Sequence, residues 1–432
     1  VVCEKRGAAP PGVAVIRVAN SRRALARLAD AFHGKPSSRL TMIGVTGTNG
    51  KTTTSLLLAS ALEAAGIPTG VIGTLAVRFG NRAIPAANTT PPADDLHDLL
   101  GQMLQAGMKA AVMEVSSHAL HQGRAEDVAW DAAIFTNFTQ DHLDYHGSME
   151  AYFEAKQRLF QSLGRGGKAG VAALNADDPR AAELRRATPS GARTLLYGTS
   201  EEAEVRATDI ATSLDGSRFL LRAKEGETEI RTPLFGAHNI ANALAAAAAG
   251  LALGVGLPAV ARGIAGVACV PGRLERVNST PAVFVDYAHT EDALRRVLQT
   301  LRPFTRGRLF LVFGCGGGRD RAKRPLMGRA AAELADFSFV TSDNPRFEAP
   351  EAIAEEVLKG FGKRADRREK ILDRRDAIRA ALAMADPRDT VLIAGKGHET
   401  YQEARGVRQP FDDRAVAREV LAAPRQGDSR HG

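Results

Sequence analysis

Residues 40–54 read Leu-Thr-Met-Ile-Gly-Val-Thr-Gly-Thr-Asn-Gly-Lys-Thr-Thr-Thr, and this stretch decides the fold of the chain. The apolar run 40–45 predicts a buried strand, Gly47 and Gly50 interrupt it, and a helical pattern starts at Thr52. A strand that leads through a glycine-rich loop into a helix presents several backbone N–H groups to one anion. The stretch therefore predicts a nucleotide phosphate loop.

Within this loop, Lys51 can reach the terminal phosphates as a point charge, and Thr52 offers a hydroxyl to Mg²⁺. Valine at position 45 replaces the first glycine of the longer phosphate-loop pattern, which leaves the shorter motif Gly-Thr-Asn-Gly-Lys-Thr. The alternative interpretation is a strand, turn and helix with an incidental lysine. The expected nucleotide-binding residues are Gly47, Thr48, Asn49, Gly50, Lys51, Thr52 and Thr53.

The whole chain has 432 residues, enough for two or three domains, with 44% apolar and 25% charged residues as in ordinary globular proteins. Its net charge of +8 suits a small polyanionic substrate and would also suit nucleic acid. Because no basic segment is interleaved with the few aromatic residues, we expect no nucleic-acid partner. Three widely spaced cysteines and a start that is charged within four residues predict a cytoplasmic protein. The alanine-rich stretch 240–261 predicts a buried helix and a turn, so we expect no membrane association. We also expect a monomeric chain, although no motif in the sequence bears on the oligomeric state.

Apolar strands alternate with helical segments through most of the chain, which is typical of the α/β class. This pattern predicts a central P-loop ATPase domain with a mostly parallel sheet at residues 39–271. It predicts a C-terminal Rossmann-like α/β domain at residues 272–432. Residues 1–38 predict the tail of a larger N-terminal unit, with Ser21 as the N-cap of a helix that reaches Phe32.

The expected strands of the central domain cover residues 40–45, 69–72, 110–115, 131–136 and 169–175, followed by hairpin turns within 203–235 and a helix over 239–253. Those of the second domain cover residues 282–286, 309–313, 336–341, 370–372 and 390–394. Residues 424–432 are expected to be disordered.

Polar residues follow two strands of the central domain. Glu114 ends a predicted strand, where nucleotide-binding folds hold Mg²⁺. Residues 136–147 follow the next strand and contain two aspartates and two histidines within six positions, including His142, which indicates a second metal-linked site. By pattern alone, Lys156 is a solvated lysine on an amphipathic helix. Two further segments are equally compatible with ordinary loops and with a binding site. They are Thr89–Thr90 and the pair Gln122 and Arg124.

Three polar segments follow strands of the second domain, where an open α/β sheet binds its ligands. Residues 314–320 fail as a dinucleotide fingerprint because Arg319 stands in the place of the third glycine. The other two segments are Asp343-Asn344-Pro345-Arg346 and Gly395-Lys396-Gly397-His398-Glu399. Here an arginine can clamp a carboxylate and Glu399 can take an ammonium group, which together would recognise an amino acid.

Eight motifs, in their order along the chain, resemble those of the Mur ligases, the ATP-dependent amino-acid-adding enzymes of peptidoglycan synthesis. They are Thr-Gly-Thr-Asn-Gly-Lys-Thr-Thr at 46–53, Asn-Thr-Thr-Pro at 88–91, Glu-Val-Ser-Ser-His at 114–118, Thr-Asn-Phe-Thr-Gln-Asp-His-Leu-Asp-Tyr-His-Gly at 136–147, Pro-Gly-Arg-Leu-Glu at 271–275, Asp-Tyr-Ala-His-Thr at 286–290, Asp-Asn-Pro-Arg at 343–346 and Gly-Lys-Gly-His-Glu at 395–399. The resemblance covers residues 13–415, with Glu291 where the family usually has proline.

The resemblance implies that Thr52, Glu114 and His142 hold Mg²⁺ and that Lys156 matches a lysine carbamylated in the family, which reverses the reading of a solvated lysine. Lys51, Lys156, His142 and Arg273 would be catalytic. The resemblance also implies Thr89, Thr90, Ser116, Gln122 and Arg124 for the UDP-muramoyl substrate, His238, Asn239, Arg273 and Asp286 for the nucleotide, and Arg319, Asp343, Asn344, Arg346, Gly395 and Glu399 for the amino acid.

The implied reaction is ligation through an acyl phosphate: the terminal carboxylate of UDP-MurNAc-L-Ala-D-Glu attacks ATP, and an amine then displaces phosphate. Asp-Asn-Pro-Arg is the family version associated with meso-diaminopimelate, whose extra carboxylate Arg346 can pair with. Residues 1–38 would be the last segment of a UDP-binding domain and its linker. The alternatives are another ligase of the superfamily such as folylpolyglutamate synthetase, a P-loop kinase or regulatory ATPase, and a homologue that binds nucleotide without turnover.

Overall fold

Residues 1–5 and 11–423 are described by the computed structural model, and the chain divides into two units, Val1–Ala268 and Cys269–Gly432. Residues 424–432, for which the sequence predicts disorder, lie outside this described part. Among the described residues, no helix has both the length and the apolar character that crossing a membrane requires.

The first unit alternates strands and helices. Its elements are β1 (Val2–Cys3), β2 (Ile16–Arg17), α1 (Ser21–Phe32), α2 (Pro36–Arg39), β3 (Thr41–Thr46), α3 (Lys51–Ala64), β4 (Thr69–Ile72), β5 (Ala76–Phe79), β6 (Arg82–Pro85), α4 (Ala93–Gln105), β7 (Ala110–Glu114), α5 (Ser117–His121), β8 (Ala132–Phe135), α6 (Leu143–His146), α7 (Met149–Gln161), β9 (Val171–Asn175), α8 (Ala181–Ala187), β10 (Arg193–Gly198), β11 (Val205–Ser213), β12 (Gly216–Ala223), β13 (Gly226–Thr232), α9 (Ala237–Ala252) and α10 (Leu257–Gly266).

Within the described residues, the large sheet of this unit has 11 strands in the order β13-β12-β11-β10-β9-β8-β3-β7-β4-β5-β6. The strands from β11 to β4 in this order run parallel, and antiparallel hairpins extend the sheet at both edges. Because β3 pairs with both β7 and β8, the loop after β3 lies between the carboxyl ends of these two neighbours.

The alanine-rich helix α9 is buried along most of its length, because it packs against α3 on one side and against β9 and β10 on another. Its small side chains allow close packing. The predicted buried helix followed by a turn is confirmed, although the helix begins two residues earlier than expected and a further helix, α10, follows the turn.

The second unit repeats the α/β pattern around a smaller sheet. Its elements are β14 (Glu275–Ser279), β15 (Ala282–Asp286), α11 (Glu291–Leu301), β16 (Leu309–Phe313), α12 (Lys323–Leu334), β17 (Phe337–Val340), α13 (Pro350–Leu358), β18 (Arg368–Lys370), α14 (Arg374–Met384), β19 (Thr390–Ala394), β20 (Tyr401–Ala404), β21 (Val407–Pro410) and α15 (Asp413–Ala422). In its described residues the sheet order is β14-β15-β19-β16-β17-β18, parallel except for the β14–β15 pair. The fully buried side chains of Val285, Phe310, Phe339, Ile378 and Ile393 form part of its core.

These sheets confirm the predicted α/β class, the mostly parallel central sheet and the Rossmann-like second domain. All the predicted strands are present, and none of their ends is shifted by more than two residues; the strand expected at 370–372, for example, is Arg368–Lys370. Two hairpins, β5–β6 and β20–β21, were not expected, since their strands have only four residues each and, apart from the buried Val77 and Phe79 of β5, carry little hydrophobic pattern.

The prediction of Ser21 as an N-cap is wrong by one residue. Asn20 caps α1, because its Oδ1 accepts the backbone N–H of Arg23 at 3.0 Å. Ser21 is the first helical residue, and both its N–H and its hydroxyl donate to Glu4 Oε1 at 2.8 Å. The serine therefore bonds to the segment before the helix instead of to the helix itself.

Candidate functional site

The loop between β3 and α3 has a backbone that glycine favours at two points. Gly47 has a φ of 149° and Gly50 a φ of 86°. A Cβ atom on Gly47 would lie 1.9 Å from the Thr136 hydroxyl, and one on Gly50 would lie 2.3 Å from Oδ1 of Asn242. The loop curls tightly at both glycines, so any larger residue there would collide with these neighbours.

The polar stretch after β8 supports this loop from the side. Thr48 N donates to Asn137 O at 2.9 Å, and Asn49 N donates to Asn137 Oδ1 at 3.0 Å. The Thr136 hydroxyl donates to Asn49 O at 2.6 Å. The beginning of the stretch 136–147, which the sequence predicts as a metal-linked site, is thus also part of the scaffold of the phosphate loop.

Two lysines meet at one carbonyl of the loop. Lys51 Nζ donates to Gly47 O and to Thr48 O, both at 2.9 Å, and Lys156 Nζ donates to the same Gly47 O at 2.9 Å. Lys156 is 1% exposed, and its amine lies 4.4 Å from the centre of the Tyr152 ring. Burial, followed by the charge of Lys51, lowers the pKa of Lys156 well below its usual value.

The pattern-based interpretation of Lys156 as a solvated lysine is therefore wrong. Helix α7 is amphipathic as expected, but Lys156 lies on its buried face, together with Tyr152, Phe153, Leu159 and Phe160. Its burial next to the phosphate loop agrees with the position that the resemblance gives it.

Glu114, at the end of β7, is the centre of a hydrogen-bond cluster and is 2% exposed. Its Oε2 accepts the Thr52 hydroxyl at 2.9 Å and the Thr74 hydroxyl at 3.1 Å, and its Oε1 accepts the N–H of Thr74 at 2.8 Å. The Thr74 hydroxyl also lies 3.0 Å from that of Thr89. Thr74 was missed by the sequence analysis, because it lies in a short bend after β4 that has no motif of its own.

His142 has a left-handed backbone with a φ of 53°, and its Nε2 lies 3.4 Å from Asp141 Oδ2. Partial burial, reinforced by His118 and by the cations Lys51 and Lys156, lowers the pKa of His142 to about 4. The imidazole is therefore neutral at pH 7, the form that can bind a metal ion.

In the part of the chain that the structure describes, no three histidine, cysteine, aspartate or glutamate side chains come together as a metal site. The hydroxyl of Thr52 and the carboxylate of Glu114 nevertheless supply two adjoining oxygen ligands beside the phosphate loop. Mg²⁺ uses one or two protein oxygens and completes its shell with phosphates and water. The residues present therefore fit Mg²⁺ bound together with a nucleotide.

Residues predicted for the UDP-muramoyl substrate form one hydrogen-bonded chain. The Thr90 hydroxyl donates to Glu114 O at 2.8 Å and accepts the N–H of Ser116 at 3.0 Å. Arg124 donates from Nη1 to Thr90 O at 3.0 Å and from Nε to Gln122 Oε1 at 2.9 Å. This chain places the predicted substrate residues directly beside the Glu114 cluster.

Helix α9 contacts the first turn of α3, directly after the phosphate loop. Asn242 Oδ1 accepts the hydroxyl of Thr54 at 3.3 Å, and Asn242 Nδ2 donates to Asn239 Oδ1 at 3.2 Å. Asn239 is buried, whereas His238 is partly exposed in the first turn of the helix. Asn239, one of the residues predicted for the nucleotide, is thus connected to Thr54 of α3 through Asn242.

In the second unit, Asp286 ends β15 and is nearly fully buried. It accepts the backbone N–H groups of Leu274 and Ala288 at 2.7 Å each. Burial raises the pKa of Asp286, although Arg273 and these two bonds oppose the shift. The guanidinium of Arg273 lies 4.7 Å from the centre of the Tyr287 ring.

Residues 343–346 and 395–399 come together at the carboxyl ends of β17 and β19. Asn344 Nδ2 donates to Glu399 Oε2 at 2.8 Å. Gly395 has a φ of 112°, and a Cβ atom there would lie 2.7 Å from Asp343 Oδ2, so the two segments touch without room for a side chain. The structure thus brings together Asp343, Asn344, Gly395 and Glu399 of the predicted amino-acid pocket.

Arg346 has a left-handed backbone with a φ of 53°, and the β20–β21 hairpin holds it there. Arg346 N donates to Glu403 O at 3.0 Å, and Arg405 N donates to Arg346 O. Its side chain turns to the glycine loop, where Nη1 donates to Gly317 O at 2.8 Å. Arg319, on the same glycine loop, is exposed, and within the described residues no hydrogen bond or ion pair of its side chain joins it to this group.

Two comparisons with known proteins show the family to which this chain belongs. Residues 45–250 match the family model of the Mur ligase middle domain, and residues 272–397 match that of the Mur ligase glutamate ligase domain. UDP-N-acetylmuramoyl-L-alanyl-D-glutamate–2,6-diaminopimelate ligase of Gloeobacter violaceus is 47% identical over 428 residues, 98% of this chain and 86% of that protein. The protein of the same name from Solibacter usitatus is 48% identical over 420 residues, 96% of this chain and 84% of its own length.

Solved structures extend the similarity to the fold. A structure of UDP-N-acetylmuramoyl-L-alanyl-D-glutamate–2,6-diaminopimelate ligase superposes with a TM-score of 0.69 at 37% identity, covering 97% of this chain and 86% of that one. Mycobacterium tuberculosis folylpolyglutamate synthase complexed with ADP shares the fold at 23% identity, with a TM-score of 0.73 over 87% of this chain and 92% of its own.

Proposed function

Because the chain belongs to the Mur ligase family, we propose that it is an ATP-dependent ligase that joins meso-diaminopimelate to UDP-N-acetylmuramoyl-L-alanyl-D-glutamate. Relatives at 44–48% identity are named UDP-N-acetylmuramoyl-L-alanyl-D-glutamate–2,6-diaminopimelate ligase. A carboxylate and an amine do not condense in water unaided, and ATP provides the activation by turning the carboxylate into an acyl phosphate.

The observation that carries the choice of amino acid is the group formed by Asn344, Arg346 and Glu399. Glu399 is a carboxylate tied to Asn344, and two residues after Asn344 the backbone of Arg346 is fixed by the hairpin. An ammonium group would bind Glu399, and a carboxylate would bind the guanidinium of Arg346. Diaminopimelate has a carboxylate at the end of its side chain, where lysine has none. Asp343 and Gly395 support this pocket, and Arg319 is proposed as a further cation for it.

In the first unit, the phosphate loop supplies backbone N–H groups and Lys51 supplies a positive charge for the transferred phosphoryl group. Thr52 and Glu114 would hold Mg²⁺, with His142 as a further candidate ligand, and the ion would neutralise phosphate charge when bound. Thr89, Thr90, Ser116, Gln122 and Arg124 are proposed to orient the UDP-muramoyl peptide so that its carboxylate meets the phosphate. Roles for His238, Asn239, Arg273 and Asp286 in nucleotide binding remain predictions.

Lys156 is proposed to carry a carbamate. Its amine is buried against Lys51 with a lowered pKa, so the neutral form, which attacks CO₂, is favoured. The nitrogen forms a bond to the carbon of CO₂ and loses one proton, which gives a singly negative carbamate. The product would pair with the positive charge of Lys51 and offer oxygen ligands to Mg²⁺.

The test is phosphate release from ATP with UDP-MurNAc-L-Ala-D-Glu, Mg²⁺ and either meso-diaminopimelate or L-lysine. We expect release with diaminopimelate and little with L-lysine. Arg346→Ala should lower kcat/KM for diaminopimelate by about 100-fold, since it removes a charge-assisted contact. Arg405→Ala is the matched control, because Arg405 is exposed and contacts Arg346 through its backbone.

Release with L-lysine alone would contradict the proposed amino acid and leave the ligase class intact. Sustained phosphate release without any amino acid would instead favour a P-loop ATPase. An Arg346→Ala variant with unchanged kcat/KM would contradict the role of the arginine.

A further inference from the structure

Lys396 lies in the Gly-Lys-Gly-His-Glu segment at 395–399. The proposed function gives this lysine no role. Its side chain is completely buried, with 0% exposure. A buried ammonium group is costly unless it is paired and hydrogen-bonded, so its contacts must repay the loss of water. Those contacts lie within the proposed amino-acid pocket.

Three groups surround the amine. Lys396 Nζ donates to Glu399 Oε2 at 3.0 Å and to Asn344 Oδ1 at 3.1 Å. It also lies 5.4 Å from the centre of the Tyr401 ring, in the range of a cation–π contact. The lysine therefore bonds to two of the residues proposed to receive the amino acid.

These bonds determine how Asn344 is oriented. Its Oδ1 accepts Lys396 Nζ and also the backbone N–H of Glu403 at 2.9 Å. With two donors on the oxygen, the amide must direct its Nδ2 to Glu399, and the observed Nδ2–Oε2 distance is 2.8 Å. The orientation of the amide is thus set by the lysine and the hairpin together.

The same bonds determine how Glu399 is presented. Both donors, Lys396 and Asn344, reach Oε2, and the described residues place no hydrogen-bond donor on Oε1. The carboxylate is held by one oxygen and keeps the other for a ligand. Its side chain is 18% exposed, so it remains reachable.

We propose that Lys396 is a positioning residue for the incoming amino acid: by fixing Asn344 and one oxygen of Glu399, it presents the second oxygen to the ammonium group of the substrate. This inference rests on the proposed function and deepens it. Lys396 itself donates to the two pocket residues Asn344 and Glu399, and the proposal has it act through them.

The experiment compares the full chain with its Lys396→Met variant, which keeps the length of the side chain and removes its charge. The KM for diaminopimelate should rise at least about tenfold, because losing a hydrogen bond to a charged group costs that much or more. The KM values for ATP and for the UDP-muramoyl peptide should stay within about twofold, since that side chain lies outside the phosphate loop. Lys363→Met is the control, because Lys363 is an exposed lysine of the same unit.

Two further readouts separate positioning from a structural role. Trapping of the acyl phosphate by hydroxylamine, without amino acid, should be unchanged in Lys396→Met. In the double variant with Glu399→Gln, the two losses should be strongly non-additive, because the lysine acts through the glutamate. Lys396→Gln, which is neutral but can donate, is measured in parallel and should show a smaller rise in KM.

Three results would overturn the proposal and make the lysine a structural residue. They are equal rises in all three KM values, additive losses with Glu399→Gln, and unfolding of both Lys396 variants. The proposed function is judged separately on the unmodified chain. If that chain adds L-lysine instead, the proposed function fails, and the effect of Lys396 is then measured on the KM for L-lysine, which carries the same ammonium group.

Discussion

At the scale of single residues, the most unusual feature is the pair of lysines that share Gly47 O. Two ammonium groups on one carbonyl repel each other, and the buried one, Lys156, gives up its proton more readily. The local sequence pattern cannot distinguish this lysine from a solvated one, because both occur on amphipathic helices. Its burial is what makes the proposed carbamate chemically reasonable.

If Lys156 carries a carbamate, ligase activity should fall in buffers freed of CO₂ and return when bicarbonate is added. The physical reason is that the modification is reversible and depends on dissolved CO₂. Initial rates of phosphate release, with and without bicarbonate, measure this. A Lys156→Met variant should be inactive under both conditions. Activity of the wild-type chain that does not depend on bicarbonate would contradict the carbamate.

The lowered pKa of Lys156 also has a consequence for stability that serves as a control. Without CO₂, the folded chain binds fewer protons than the unfolded chain between the lowered pKa and the usual 10.5. The contribution of Lys156 to stability therefore rises with pH through this window and is lost as the pH falls. Without CO₂, the melting temperature of the Lys156→Met variant should depend less on pH over this range than that of the wild-type chain.

At the scale of secondary-structure elements, the β20–β21 hairpin shapes the predicted amino-acid pocket from outside the main sheet. Gln402 Nε2 donates to Asp343 O at 2.8 Å, and Glu403 N donates to Asn344 Oδ1 at 2.9 Å. The hairpin also pairs with the backbone of Arg346. The sequence pattern does not predict this hairpin, although the hairpin contacts residues that the motifs identify.

Gln402→Leu should raise the KM for diaminopimelate by about fivefold, since it removes a hydrogen bond worth about 1 kcal/mol that fixes Asp343. The kcat at saturating diaminopimelate should change little. Steady-state kinetics measure both values. Gln409→Leu is the matched control, because Gln409 pairs with Gln402 across the hairpin and its side chain is exposed. Equal effects of the two substitutions would exclude a specific role for Gln402.

At the scale of the whole molecule, the two units contain different parts of the proposed chemistry. The first has the phosphate loop, Lys51 and the Glu114 cluster, and the second has the group around Asn344 and Glu399. Activation of the carboxylate and its capture by an amine should therefore be separable steps. A ligase forms an acyl phosphate that persists until an amine consumes it.

Without amino acid, ATP and UDP-MurNAc-L-Ala-D-Glu should yield at most about one ADP per protein chain, followed by steady turnover once diaminopimelate is added. Rapid-quench measurement of ADP against protein concentration tests this. Lys51→Met should abolish both the first ADP and the turnover. Continuous ADP formation in the absence of amino acid would instead indicate an ATPase whose second unit only binds a metabolite.

The sequence by itself determined the α/β class, most strand positions, the phosphate loop and the motif residues, because glycine spacing and apolar periodicity are local properties of the chain. Only the tertiary structure decided that Lys156 is buried against Lys51, that Thr74 bonds to Glu114, and that Lys396 ties Asn344 to Glu399. These contacts join segments far apart in the chain. No local pattern encodes them, since they depend on which strand ends meet when the sheet forms.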